Sequence, residues 1–473
     1  MIGWARRTRE LHDELAELAS DDPRWWLLAG AAAVTESWPA RPGYVVSGGD
    51  PDADTFIGAR VAPPADPIAD AILRARAAAT AIRALDGRLP EQPLAVALDG
   101  GHRVPASLEV AAFAIGAQCL VGSLADPQLP AQLAALARGE SPDHWTGPPP
   151  FVCVSLGDEP IATARHGHRR AWRDPASASR GSGPWLGLGR TGELSVVSTC
   201  HMIVDGYGHA WLASLIHREL AALAAAPGPR ATPVTLPPLA PVADASPLGV
   251  AWRPISGEAP RALPLAYALG CLLHREAGSR AAPFSPTLQI PVAPGLPSDP
   301  TRRLRRVMPA AVSVRFEGGE PEPFARFAAR ARATLERETA GNGLCARLVA
   351  AARAAPAPLA WKRRHFAATR SPWLDRVSGG IADVLGGRAC VSRIRLDLPS
   401  PPSCAVSSPA RLASETDPLG ACVATVIDDG VEAALTICGS GLVAREGSAS
   451  AILDELLTNI SSCSPPIFDR VAE

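Results

Sequence analysis

The sequence predicts an α/β protein built as two lobes of one architecture, and three observations carry that prediction. Short segments with alternating or β-branched apolar residues recur between segments with helical spacing. The chain has 473 residues, more than one ordinary core accommodates, which points to two domains of roughly 200 residues each or a little more. The ends of the two halves also match. TCHMIVDGYGHAWLASLIHREL and TICGSGLVAREGSASAILDELL each follow an apolar strand and run through a cysteine (Cys200, Cys438), a glycine-containing turn and an amphipathic helix.

Strands are expected in PPFVCVSLGD (Pro149 to Asp158), LGLGRTGELSVVSTC (Leu186 to Cys200), PTLQIPVAP (Pro286 to Pro294), MPAAVSVRFEGG (Met308 to Gly319) and ACVATVIDDGVEAALTICG (Ala421 to Gly439). Helices are expected in DPIADAILRARAAATAIRAL and EPFARFAARARATLERE. The apolar run from Val110 to Leu124 reads as a buried helix, since it carries Gln118 and falls short of the roughly 20 residues that span a bilayer. Prolines crowd Ala224 to Gly249, where they remove donors and fix φ, so this stretch reads as an interdomain crossing. The expected division is a first lobe over residues 1–225, a crossover over 226–258 and a second lobe over 259–473.

Composition excludes several classes of function. A formal net charge of -1 creates no global field toward nucleic acid or anionic lipid. Lys362 is the only lysine among abundant arginines, which reads as codon bias. The ten cysteines stand singly, without CxxC or zinc-like spacing, as expected for reduced cysteines in a cytosolic protein, so no metal is expected. The N-terminal MIGWARRTRELHDELAELAS has a charged amphipathic pattern without the apolar centre of a signal peptide, so a cytoplasmic protein is expected.

Chemistry concentrates at the end of the first lobe. Leu194, Val196 and Ser198 alternate with Ser195, Val197 and Thr199, so a strand delivers His201 at its end. After Gly206, the residues Trp211, Leu212, Leu215, Ile216, Leu220 and Leu223 recur at helical spacing. Asp205 stands just before that helix, and Gly206 supplies a turn few residues accept. A neutral imidazole, with a reference pKa of about 6.5, can take a proton from an alcohol or amine and return it to a leaving group.

With these residues in CHMIVDG, Cys200 to Gly206, the sequence resembles the chloramphenicol acetyltransferase-like superfamily of thioester-dependent acyltransferases, whose motif is HHxxxDG. The superfamily includes condensation domains of peptide synthetases and wax ester synthases. The resemblance implies two lobes of mixed sheet flanked by helices, with an active-site tunnel at their interface. It implies that His201 is the catalytic base, without a covalent intermediate, and that Asp205 and Gly206 shape its loop. Cys200 departs from the motif's first histidine.

The resemblance also implies an arginine partner for Asp205, for which Arg315, Arg302 and Arg303 are candidates, and a hydroxyl supporting the oxyanion, for which Ser392, Ser407 and Ser408 are candidates. Arg302, Arg303, Arg305 and Arg306 are candidate contacts for donor phosphates. The implied substrates are an acyl-CoA or phosphopantetheine-linked donor, the latter on an acyl carrier protein, and a small alcohol or amine acceptor. A monomer without bound cofactor, nucleic acid or transmembrane segment is expected. The alternative reading is a catalytically inactive scaffold or binding protein on the same fold.

Other patterns receive bland readings. GLGRTG, Gly187 to Gly192, spells a dinucleotide fingerprint but precedes a strand rather than a helix, so it reads as a hairpin turn. RHGHRRAWR, Arg165 to Arg173, reads as a basic loop. His209 and His217 read as half-exposed residues of the helix after the motif, and Cys200 as a packing residue.

Overall fold

The computed structural model describes residues 44–45, 54–61, 66–84, 110–115, 118–140, 152–158, 186–192, 194–200, 206–225, 249–255, 258–278, 287–292, 310–315, 322–339, 357–358, 389–395, 404–407, 422–428 and 430–462. The first half comprises β1 (Tyr44–Val45), β2 (Asp54–Arg60), α1 (Pro67–Ala84), β3 (Val110–Ile115), β4 (Gln118–Ser123), α2 (Leu129–Ala137), β5 (Val152–Asp158), β6 (Leu186–Thr191), β7 (Leu194–Cys200) and α3 (Gly206–Ala225). The second half comprises β8 (Gly249–Ile255), α4 (Ala262–Gly278), β9 (Thr287–Val292), β10 (Ala310–Arg315), α5 (Phe324–Thr339), β11 (Ala357–Pro358), β12 (Ala389–Arg395), β13 (Cys404–Ser407), β14 (Cys422–Asp428), β15 (Ala433–Gly439) and α6 (Ser448–Ser462).

Two mixed sheets result, so the chain is α/β as expected. One has the order β13-β2-β7-β6-β5-β3-β4 and the other β10-β9-β12-β14-β15-β8, while β1 and β11 form a separate antiparallel pair. With β13, β1 and β11 set aside, the two halves are copies of one topology. Each runs strand, helix, two strands, helix, three strands, helix. The sheet orders β2-β7-β6-β5-β3-β4 and β8-β15-β14-β12-β9-β10 correspond position by position. Strand directions correspond too: the first two pairs are antiparallel, the next two parallel and the last antiparallel in both. The repeat visible at the ends of the two halves therefore extends through both sheets.

Helices line one face of each sheet. Leu129, Leu133 and Leu136 of α2, the alanines of α1 and Ala210, Ala213 and Ile216 of α3 share a core with Phe113, Val154, Leu188 and Val197. Leu265 and Leu269 of α4, Phe327 of α5 and Leu453 and Leu456 of α6 pack with Val391, Ala424, Val426, Leu435 and Ile437. The opposite face of the second sheet receives the edge of the first. Leu194 and Val196 pack on Cys438, Val250 and Trp252, Ile394, Ile427 and Ala434 join the first core, and β13 lies against β14, β15 and β8.

Local chemistry explains the key boundaries. The Ile68 backbone N–H donates to the Asp66 carboxylate at 3.0 Å, and Pro67 opens α1 where its missing N–H costs nothing. Alanine, the best helix former, fills the buried stripe of α1 and lets it approach α3 closely. Thr191 pairs with Leu194 across a two-residue connection, with Gly192 at φ 53°, so GLGRTG lies in a hairpin and opens no helix.

Two expectations are corrected. Val110 to Leu124 is not a helix but the antiparallel pair β3–β4, with Val110 opposite Ser123 and Ile115 opposite Gln118. A short apolar run suits a buried helix or a buried strand equally, and pairing with β5 decides for the strand. The Gly249–Ile255 end of the proline-rich crossing is strand β8, paired along its length with β15.

Gly249 is required by close backbone approach. A Cβ there would lie 1.7 Å from the Val443 carbonyl oxygen and 2.4 Å from its carbon, both backbone atoms. A Cβ on Gly192 would meet nothing within 4 Å and carries only the strain of positive φ. Gly192→Ala is expected to cost about 1 kcal/mol. Gly249→Ala is expected to cost about 3 kcal/mol or more, because backbone must move. Urea denaturation of the two variants measures the difference, and equal losses would contradict it.

Candidate active site

The candidate site is the connection between β7 and α3. β7 is an interior strand, paired with β2 from Asp54–Cys200 to Arg60–Leu194 and with β6 from Leu186–Thr199 to Thr191–Leu194. Two ladders thus hold the strand that ends at residue 200, and α3 begins at Gly206. The five residues between are clamped at both ends. His201 and Asp205 lie within them, outside the described residues, as do Arg302, Arg303, Arg305, Arg306, Ser408 and the loop Arg165 to Arg173.

The other candidates fall on described strands. Arg315 ends β10, the edge strand of the second sheet, opposite Thr287. Ser407 ends β13 opposite Thr55, on the strand that the second half contributes to the first sheet. Ser392 is half-buried in β12, in lateral register with Thr425 and Thr436. It alternates with Ala389 and Val391, which pack toward the helices, so it occupies the face turned to the first lobe.

At the other end of β7, where Arg190 stands opposite Ser195, lies a buried polar layer that the sequence reading missed. Arg190 of β6 grips Asp70 of α1 with two bonds, Nη2 to Oδ1 at 2.7 Å and Nε to Oδ2 at 3.0 Å, and its Nη1 reaches the Val61 carbonyl at 3.3 Å. Arg74, one turn on, donates Nε to Asp70 Oδ2 at 3.0 Å and Nη2 to the Ser155 carbonyl of β5 at 3.0 Å. Burial pushes the Asp70 carboxyl up, but the guanidiniums of Arg74 and Arg190 outweigh it and hold the group below the usual carboxylate range. At the exposed rim beside it, Asp158 accepts from the Gly192 N–H at 2.9 Å.

His209 and His217 are corrected as well: they are not half-exposed but 0% and 1% exposed. The α3 stripe turned to the sheet holds them beside Ala210, Ala213 and Ile216. His217 hydrogen-bonds the Ser195 backbone, and burial pushes its pKa down to about 4 against that bond. It is therefore neutral at physiological pH. Its Nε2 has no partner among the described residues, which leaves Nδ1 as the donor to Ser195.

Thiolate chemistry is disfavoured at three described cysteines. Burial pushes Cys119 up to about 11 and Cys422 and Cys438 each up to about 12. Among the described residues, no group of three or more His, Cys, Asp or Glu could hold a metal ion, and no helix is long and apolar enough to cross a membrane.

No family model matches the chain, and no curated protein matches it. Among solved structures, it is similar to polyketide synthase associated protein 5 from Mycobacterium tuberculosis, with 13% identity over 91% of this chain and 100% of that one and a TM-score of 0.40. It is also similar to the first condensation domain of the CDA synthetase, with 13% identity over 95% and 96% of the two chains and a TM-score of 0.37. A third is the epimerization domain from the third module of tyrocidine synthetase B, with 10% identity over 93% and 95% and a TM-score of 0.34. Likeness at these values assigns no activity, and the functional reading rests on the chain's own residues.

Two stability predictions follow from the polar layer. Asp70→Ala leaves Arg74 charged and unpaired in the core and is expected to cost about 3–5 kcal/mol in urea denaturation. For His217, the unfolded chain takes up a proton near pH 6.5 and the folded chain only near pH 4, so stability falls as pH drops through that window. The wild type should lose about 2 kcal/mol more than His217→Phe between about pH 7 and about pH 5. Parallel pH profiles of the two proteins would contradict this. Asp70, with its pKa already low, titrates below that window.

Proposed function

We propose that the chain is an acyltransferase that moves an acyl group from a thioester to a hydroxyl or amine, with His201 as general base. The observation that supports this most is the bracket around CHMIVDG: an interior strand ends at Cys200 and a helix opens at Gly206, in one of two topological copies. A strand end held by two ladders can aim an imidazole without movement of the scaffold. The second copy, with GSGLVAREG between strand and helix, lacks the histidine and the aspartate.

In this mechanism the acceptor O–H or N–H gives its proton to the His201 imidazole as the oxygen or nitrogen attacks the thioester carbonyl carbon. Collapse of the tetrahedral intermediate breaks the C–S bond, and the imidazolium protonates the departing thiolate. Asp205, held by Arg315, Arg302 or Arg303, shapes the loop with Gly206. Ser392 is the best-supported donor to the oxyanion among Ser392, Ser407 and Ser408, because its face of the second sheet turns toward the first lobe. Arg302 to Arg306 receive donor phosphates, and donor and acceptor meet in a tunnel between the lobes. The enzyme works as a cytoplasmic monomer of secondary or lipid metabolism.

The test is thiol release from a panel of acyl-CoA and carrier-bound donors with pooled alcohols and amines. Release that requires an acceptor and falls at least about a hundredfold in His201→Ala is the expected result. Equal release in the variant removes the proposed base, and no release from either donor class favours the scaffold reading.

A further inference from the structure

The two lobes share a topology but differ in what lies between their helices and their sheets. Among the described residues, the helices of the first lobe bury Asp70, Arg74, His209, Ser214 and His217 to 3% exposure or less. The residues of the second lobe's helices buried to the same degree are apolar, among them Leu265, Leu269 and Leu272 of α4, Phe327 of α5, and Leu453 and Leu456 of α6. One scaffold thus occurs twice in this chain: the second copy keeps a part-buried Arg393–Asp428 pair on its sheet, but among the described residues only the copy that carries the motif buries polar side chains of its helices to 3% exposure or less. The second copy shows that the architecture does not require fully buried histidines on the helix that follows the last strand.

Buried polar groups cost desolvation that apolar residues avoid, but they specify position. An apolar face of the right volume tolerates alternative packings and loses uniqueness before it loses stability. A helix tied to one backbone carbonyl leaves a buried group unsatisfied if it slides, a penalty that apolar packing does not impose. His217 makes such a tie: it is 1% exposed on the face of α3 packed against β7, only its Nε2 is left without a partner among the described residues, and its hydrogen bond goes to the Ser195 backbone. Ser195 lies on β7, the strand that leads into His201, and α3 is the helix that leads out of Asp205. The bond therefore joins the two elements that bracket the motif, about three helical turns from Gly206.

We propose that His217 is a positioning residue: its bond to the Ser195 carbonyl fixes where α3 sits along β7, and so fixes the span that residues 201–205 must bridge. The consequence rests on the acyltransferase reading, but the placement of α3 can be measured without it. His217→Phe keeps a ring of similar shape and removes the donor. His217→Asn places an amide N–H near the Nδ1 position, and His217→Gln places it near Nε2.

In the full chain, His217→Phe is expected to lower kcat about tenfold with donor KM unchanged, and His217→Asn to recover most of that loss. Amide hydrogen exchange in the first turn of α3 should quicken in the phenylalanine variant and return toward wild type in the asparagine variant. Unchanged kcat and unchanged exchange in His217→Phe would overturn the proposal, as would a change in KM alone. Should the phenylalanine variant fail to fold, Asn close to wild type with Gln impaired supports it, and equal behaviour of the two overturns it. If wild type releases no thiol, the acyltransferase reading fails separately, and the exchange comparison still decides whether His217 places α3.

Discussion

The rest of the structure depends on the confinement of β7 between β2 and β6. Antiparallel ladders on both sides leave the strand no freedom to slide, because a one-residue slip would turn Val197 out of the first core and Ser198 into it. Its C-terminal end is therefore fixed in space by residues far away in sequence. Such a strand end gives the connection that follows one fixed anchor, and the start of α3 gives it the other. The Asp70, Arg74 and Arg190 cluster adds to this by joining α1 to β5 and β6, so the helix layer and the sheet move as one body.

Duplication explains how the scaffold supports such a site. The second copy supplies a sheet whose helix-free face receives the edge of the first, and it sends β13 across to pair with β2. That exchange joins the lobes by backbone hydrogen bonds as well as by apolar packing. In the second copy, the corresponding strand-to-helix connection folds back until Val443 lies on Gly249, and the residues its helices bury most deeply are apolar. It carries the marks of a wall.

What was legible in the sequence followed from periodicity and punctuation. The GLGRTG hairpin could be read because a strand follows it, and the β7–α3 junction because alternation gives way to helical spacing at Gly206. The β3–β4 pair could not, since an apolar run has no period that separates helix from strand until its neighbours are known. The polar layer was illegible for a related reason. Asp70 and Arg74 look like an ordinary surface pair one turn apart, and only Arg190, 120 residues away, shows that they are interior. His209 and His217 lie on the same stripe as Ala213 and Ile216, a signal that polarity alone obscures. For His201 and Asp205 the bracket is seen, while their own placement lies outside the described residues.

The measurement that bears most directly on the central claim is a crystal structure with a non-hydrolysable thioether analogue of an acyl-CoA. The account predicts the sulfur between the two lobes within about 4 Å of the His201 imidazole, with room for an acceptor on the other side of the ring. A His201 side chain enclosed by protein, with the analogue bound elsewhere or not at all, would contradict it.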